Sequence, residues 1–132
     1  MEKKKIYVLG TLELEHDSLP LIILPRLIEN FKDYEFRVID PTENFPVEEH
    51  LVIIDTEVNT NEVRVLTDID KIQSSPSFSL HDFDLGMQLK LMKKLGKLKD
   101  VKIICVPPHG KISEEDAFEG VKNSIVKYIK EG

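Results

Sequence analysis

The stretch 51-LVIID-55 runs four apolar residues straight into a carboxylate. A near-continuous apolar run of that length, rich in β-branched side chains, reads as a strand buried on both faces of a parallel sheet. Ile6–Leu9 (IYVL) and Val101–Val106 (VKIICV) read the same way, and Glu35–Ile39 (EFRVI) supplies a fourth strand. In Asn61–Thr67, Val63 and Val65 alternate with polar residues, the pattern of an edge or antiparallel strand.

Helical patterns fill the intervals. Ser18–Phe31 spaces Leu24, Leu27, Ile28 and Phe31 for one face. Pro20 suits a first turn there, whereas Pro25 is expected to kink the helix or delay its regular start. A second helix is expected from Ser79, with Asp82 completing a near capping box. Leu85, Leu89 and Met92 form its apolar stripe, widened by Leu91 and Leu95. A third starts at Ser113 with the same cap pattern and turns Phe118, Val121, Ile125 and Ile129 to one side. Such stripes are ordinary core packing. The alternation of strand and helix predicts a three-layer αβα fold, its central sheet mostly parallel with an antiparallel edge strand. No repeat, low-complexity segment or linker divides the chain, so residues 1–132 are expected to form a single domain.

Composition narrows the function classes. The chain is 41% hydrophobic and 32% charged, a globular balance. Its net charge of -6 argues against nucleic acid as a partner, and the Lys3–Lys5 and Lys90–Lys99 groupings read as solvated faces. The longest apolar stretch, around LPLIILPRLI, is far below the ~20 residues of a membrane span. The start is too short in apolar residues for a signal peptide, and the expected location is the cytoplasm. A single cysteine, Cys105, excludes a disulfide framework and reads as a small hydrophobe in its strand.

In an open α/β sheet, ligands bind beyond the carboxyl ends of the strands. The polar residues at those ends are His16 and Asp17, Asp40, Asp55 and His109, with His81 at a loop-to-helix junction after the edge strand. Asp55 is the most telling, although a carboxylate there also serves as a loop cap. Asp40 precedes a proline and fits a turn start. Asp17 fits an ordinary helix cap. His81, in a first turn, faces a dipole that disfavours imidazolium and keeps the ring neutral for a metal. Two carboxylates and a neutral imidazole at one sheet edge suit a divalent transition metal, nickel or zinc ahead of magnesium.

These residues resemble the [NiFe]-hydrogenase maturation endopeptidases. In that family the first strand enters a Gly-Asn-x-Leu-x-x-Asp-Asp/Glu loop whose last acid is a metal ligand. Gly10-Thr11-Leu12-Glu13-Leu14-Glu15-His16-Asp17 puts Asp17 there. The second ligand is an Asp closing an apolar strand, as Asp55 closes Leu51–Ile54. The third is a His in a Ser-x-His-x-x-Gly/Ser/Asp-Leu pattern opening a helix, similar to Ser79-Leu80-His81-Asp82-Phe83-Asp84-Leu85. Val106-Pro107 and a final amphipathic helix also look like the family's ending. Thr11, Glu13, His16 and Pro20 depart from the pattern and suggest a divergent, archaeal-type branch.

The resemblance implies a protease that removes the C-terminal extension of a hydrogenase large-subunit precursor. Nickel, supplied by the substrate, would be recognised through Asp17, Asp55 and His81. Asp17 and Asp55 would be the catalytic carboxylates of an aspartic-type site, with His16 as an auxiliary that positions substrate or ligates. A carboxylate base and a metal Lewis acid are both compatible with the residues.

A catalytically silent binding relative stays open. A receiver-like phosphoacceptor domain would explain Asp55, but the acidic pair after the first strand and the Lys-Pro after the last are missing. Gly10 lacks the further glycines of a dinucleotide site, and no Gly-x-Ser-x-Gly marks a serine hydrolase.

Overall fold

The β-branched runs form five strands of one sheet: β1 Lys4–Val8, β2 Tyr34–Val38, β3 His50–Thr56, β4 Arg64–Leu66 and β5 Asp100–Val106. The computed structural model describes residues 4–10, 12–39, 46–68 and 80–129, without the side chains of His16 and residues 80–85. Asp40 and the 71–79 stretch therefore lie outside the described residues. Strand order is β2-β1-β3-β5-β4. The β1–β2, β1–β3 and β3–β5 pairs are parallel, and β4 runs antiparallel along β5 with Arg64 opposite Cys105. The expected mixed sheet, with its antiparallel edge strand, is what forms.

Among the described residues, three α-helices cover the sheet: α1 Leu19–Asn30, α2 Leu80–Lys94 and α3 Glu114–Ser124, the last closing in a π-helical turn, Ile125–Ile129. Period two divides the strands between two cores. Ile6, Val8, Ile54, Ile104 and Val106 face α1 and α3, meeting Leu19, Ile23, Leu27, Phe118 and Val121. Tyr7, Leu9, Leu51, Ile53, Ile103 and Cys105 face the other way, with Leu89 and Met92 of α2. Cys105 is fully buried, as its strand setting predicts. Arg26 ties α1 to α3, pairing with Glu115 at 2.8 Å and stacking 3.9 Å above the Phe118 ring.

Three local expectations need correction. Pro25 does not delay the regular start of α1, which runs from Leu19 to Asn30 with Pro25 inside it. Pro25 sits on the exposed side, where water can satisfy the carbonyl its ring leaves without a donor. The buried stripe is Leu19, Ile23, Leu27 and Phe31, at steady steps of four, and Ile28 is exposed. Leu91 and Leu95 of the second helical segment are also exposed, since α2 meets the sheet through Leu89 and Met92.

Ser113 does cap α3, its Oγ accepting from the Asp116 N–H at 3.0 Å. Ser113→Ala should cost about 1 kcal/mol, read as an earlier midpoint in urea with unchanged slope. The Tyr7 hydroxyl donates to Glu48 Oε1 at 3.0 Å. Burial first, and then this bond, push the phenol up to about 12. The fold favours neutral Tyr7, so its contribution is whole below the unfolded pKa near ~10 and is lost as pH rises through the folded value. Comparing alkaline phenolate titrations of the wild type and Tyr7→Phe should show the step near 12 missing from the variant.

Candidate active site at the carboxyl edge of the sheet

Backbone bonds just past the strand ends bring three segments to a common edge. Leu9 N–H donates to Ile54 O at 2.9 Å, Ile39 N–H to Val8 O at 3.0 Å, and Glu57 N–H to Val106 O at 2.9 Å. The chain leaving β1 turns at Gly10 and folds into a 3-10 turn, Glu15–Asp17, ahead of α1. Asp17 N–H donates to Leu14 O at 3.0 Å, and Ser18 Oγ donates to Glu15 O at 2.7 Å, closing the turn. Gly10 has a φ of 154°, and a Cβ there would stand 2.9 Å from the Asp17 carbonyl oxygen. The Asp17 backbone therefore lies directly over the end of β1, the strand beside β3. Ser18, not Asp17, occupies the N-cap position of α1.

Asp55 is the penultimate residue of β3 and is 4% exposed. The strand runs one residue further than the sequence suggests, to Thr56, whose N–H donates to Asp55 Oδ1 at 2.8 Å. Asp55 shares strand parity with Leu51 and Ile53, so it belongs to the face that α2 covers. His81 is the second residue of α2. The last turn of α2 leads straight into β5: Lys97 and Leu98 N–H donate to Met92 O, and Lys99 and Asp100 N–H donate to Glu49 O ahead of β3. His81 sits at the other end of this helix, about 20 Å from that amino-edge junction. Asp17 thus lies in the turn packed over Gly10 just past β1, Asp55 lies at the end of the adjoining β3, and the His81 backbone opens the helix over the Asp55 face. The His81 and His16 side chains lie outside the described residues. Among the described residues no three His, Cys, Asp or Glu side chains form a group able to hold a metal.

The edge also holds His109, one of the polar residues noted at the strand ends, and an ion pair to the buried Glu57 that the sequence left unassigned. His109, after β5, has Nδ1 3.6 Å from Glu15 Oε1, too long for a hydrogen bond but within ion-pair range. With β3 between β1 and β5, this contact reaches across the end of β3. Glu57 is 1% exposed, and its carboxylate is gripped through both oxygens by Arg64 Nε and Nη2. That bond raises the Arg64 pKa against the opposing effect of burial. Glu57 and Arg64 line an open polar depression of about 460 Å³ with Asn59, Thr60, Asn61 and Glu62. The spacing EVNTNEVR carries no motif, and only the turn joining β3 to β4 brings the two charges together.

No protein-family model and no curated protein matches the sequence. Solved structures do match in shape. The hydrogenase maturating endopeptidase HybD from E. coli superposes with a TM-score of 0.61 at 17% identity, covering 94% of this chain and 93% of that one. The chain has the HybD fold. A solution structure of an endopeptidase from Escherichia coli gives 0.59 at 16% identity over 92% and 91% of the two chains. An uncharacterized protein from Wolinella succinogenes gives 0.58 at 16% over 98% and 96%. In the HybD-like frame of this chain, Asp17, Asp55 and His81 come from the segments after β1, at the end of β3 and at the start of α2. No helix among the described residues is long and apolar enough to cross a membrane.

Proposed function

We propose that the chain is an endopeptidase that removes the C-terminal extension of a nickel-loaded hydrogenase large-subunit precursor. The observation that carries this reading is the end-to-end likeness to HybD, combined with a buried carboxylate, Asp55, at the carboxyl edge of the sheet. Asp17 stands over the neighbouring strand, and His81 opens the helix on the Asp55 face. Two carboxylates and an imidazole are a donor set that favours nickel over the hard cations magnesium and calcium. The nickel belongs to the substrate and is recognised, not retained.

Recognition of this kind acts as a checkpoint. A precursor without nickel lacks the group that the two carboxylates and the imidazole would grip, so it docks weakly and keeps its extension. Hydrolysis of the peptide bond needs a base for the proton of water and a donor for the leaving amine. Asp17 and Asp55 are the chain's own groups for those transfers, and His16, next to Asp17, is assigned an auxiliary role in orienting substrate.

The experiment is mass spectrometry of the precursor from the same organism, with and without nickel, after incubation with the chain. Release of a C-terminal peptide only from the loaded form supports the reading. Equal release from both forms contradicts nickel recognition. Absence of release from every precursor favours a silent binding relative.

A further inference from the structure

Strand register carries the row of Asp55 across two further strands. Asp55 of β3 pairs with Cys105 of β5, and Cys105 pairs with Arg64 at the start of β4. Residues paired in register project to the same face, so Arg64 shares the Asp55 side of the sheet. Two inter-strand steps of ~4.8 Å put the Arg64 backbone about 10 Å from that of Asp55. Glu57, two residues beyond Asp55, is 1% exposed and grips Arg64 through Nε and Nη2. An arginine has five N–H donors in a rigid fork, so engaging two of them aims the rest. Among the described residues no other acceptor meets Arg64, whose side chain is 50% exposed and lines the open polar depression.

We propose that Arg64 binds a main-chain carbonyl of the C-terminal extension, about three residues beyond the bond that is cut. The inference rests on the endopeptidase reading and deepens it, adding a substrate-binding residue to Asp17, Asp55 and His81. Asp17 stands past β1, on one side of β3, whereas Arg64 opens β4 on the other. The nickel-bearing body of the precursor belongs over Asp17 and Asp55, which leaves the β5 and β4 side for the extension. An extended peptide covers about 10 Å in three residues at ~3.3 Å each. Its carbonyl oxygen accepts from the Arg64 donors that Glu57 leaves unused, and Glu57 acts as the positioning residue.

The chemistry of the depression selects a neutral acceptor. Glu57 cancels the charge of Arg64, and Glu62 beside them adds a negative one, so a free anion is not favoured. Both Glu57 oxygens are engaged, which leaves that buried carboxylate unable to take a cation. The remaining side chains, Asn59, Thr60 and Asn61, carry amides and a hydroxyl, groups that pair with peptide backbone.

The test is steady-state cleavage of the nickel-loaded precursor by wild type, by Arg64→Lys and by Glu57→Met/Arg64→Met. The lysine keeps Glu57 neutralised and the double variant removes both charges, so neither leaves a buried carboxylate alone. Melting temperatures should stay near the wild type, while KM rises about tenfold in each with kcat unchanged. A precursor whose extension stops two residues past the cut serves as a competitor, so its own cleavage is immaterial. Its inhibition constant should be the same for all three proteins, because it ends short of Arg64. The KM difference on the full precursor should persist at about 0.5 M salt, since a carbonyl carries no net charge to screen. A wild-type KM in both folded variants overturns the proposal and leaves the endopeptidase reading standing. Weaker binding of the shortened competitor to the variants overturns it too, because Arg64 then acts on something other than the extension. A difference that vanishes in salt assigns Arg64 to a carboxylate, with the same consequence. A loss confined to kcat places Arg64 in the chemistry and likewise overturns the binding role. Cleavage of no precursor by the wild type removes both readings.

Discussion

Asp55→Asn should lower nickel-dependent release of the precursor's C-terminal peptide by about 10²- to 10⁴-fold while leaving the fold in place. The substitution keeps the shape of the side chain and the oxygen that accepts the Thr56 N–H at 2.8 Å. It removes the negative charge and the capacity to take a proton, the two properties that the proposed chemistry uses. Asp55 is 4% exposed, so a merely structural carboxylate would make itself known through stability and not through kcat. Parallel thermal melts and single-turnover cleavage separate the two. A melting temperature near that of the wild type with activity lost supports the catalytic assignment. Full activity in the folded variant would remove Asp55 from the site.

Gly10→Ala should destabilise the chain by about 2–4 kcal/mol, adding a strained φ to a steric overlap. The φ of 154° is one that side-chain-bearing residues rarely adopt, and the added Cβ would stand 2.9 Å from the Asp17 carbonyl oxygen. Because that oxygen is backbone, no rotamer change relieves the contact. Either β1 bends at its end, or the 3-10 turn carrying Asp17 lifts away from the sheet. The melting temperature should fall by roughly 10 °C, and cleavage by the surviving folded fraction should fall as well, since Asp17 moves with the turn. A stable variant with wild-type activity would show that the turn has room to spare and that its position does not govern the site.

How far the sequence discloses the molecule depends on what each signal requires. The strands of LVIID and VKIICV are legible because burial on both faces demands continuous apolar character, and they emerge as β3 and β5 with one or two residues added at their ends. The edge position of β4 is legible from the alternation of Val63 and Val65, although only Arg64–Leu66 pair. The Ser113 cap is legible because its hydrogen bond spans three residues of local chain. Apolar spacing was less informative on α1 and α2. Leu91 and Leu95 have a helical period but face away from the sheet, and periodicity alone does not say which of two apolar faces meets the core.

The site divides along the same line. Asp55 announces itself by closing an apolar strand, and Asp17 by lying after β1 and before α1. Glu57 does not, because its burial is compensated by Arg64 through a turn whose geometry no short motif encodes. His109 was visible as a polar residue after the last strand, but its approach to Glu15 follows from strand order, with β1 and β5 flanking β3. Long-range pairings of this kind are properties of topology, not of local sequence.

The central claim is nickel-gated proteolysis, and the most direct measurement is the mass of a large-subunit precursor from the same organism before and after incubation with the chain. Paired samples should differ only in nickel loading, with Asp17→Asn, Asp55→Asn and His81→Ala as controls. The account predicts loss of a C-terminal peptide from the loaded precursor alone, and none with the three variants. An intact precursor in every sample, or the same cleavage without nickel, would contradict it.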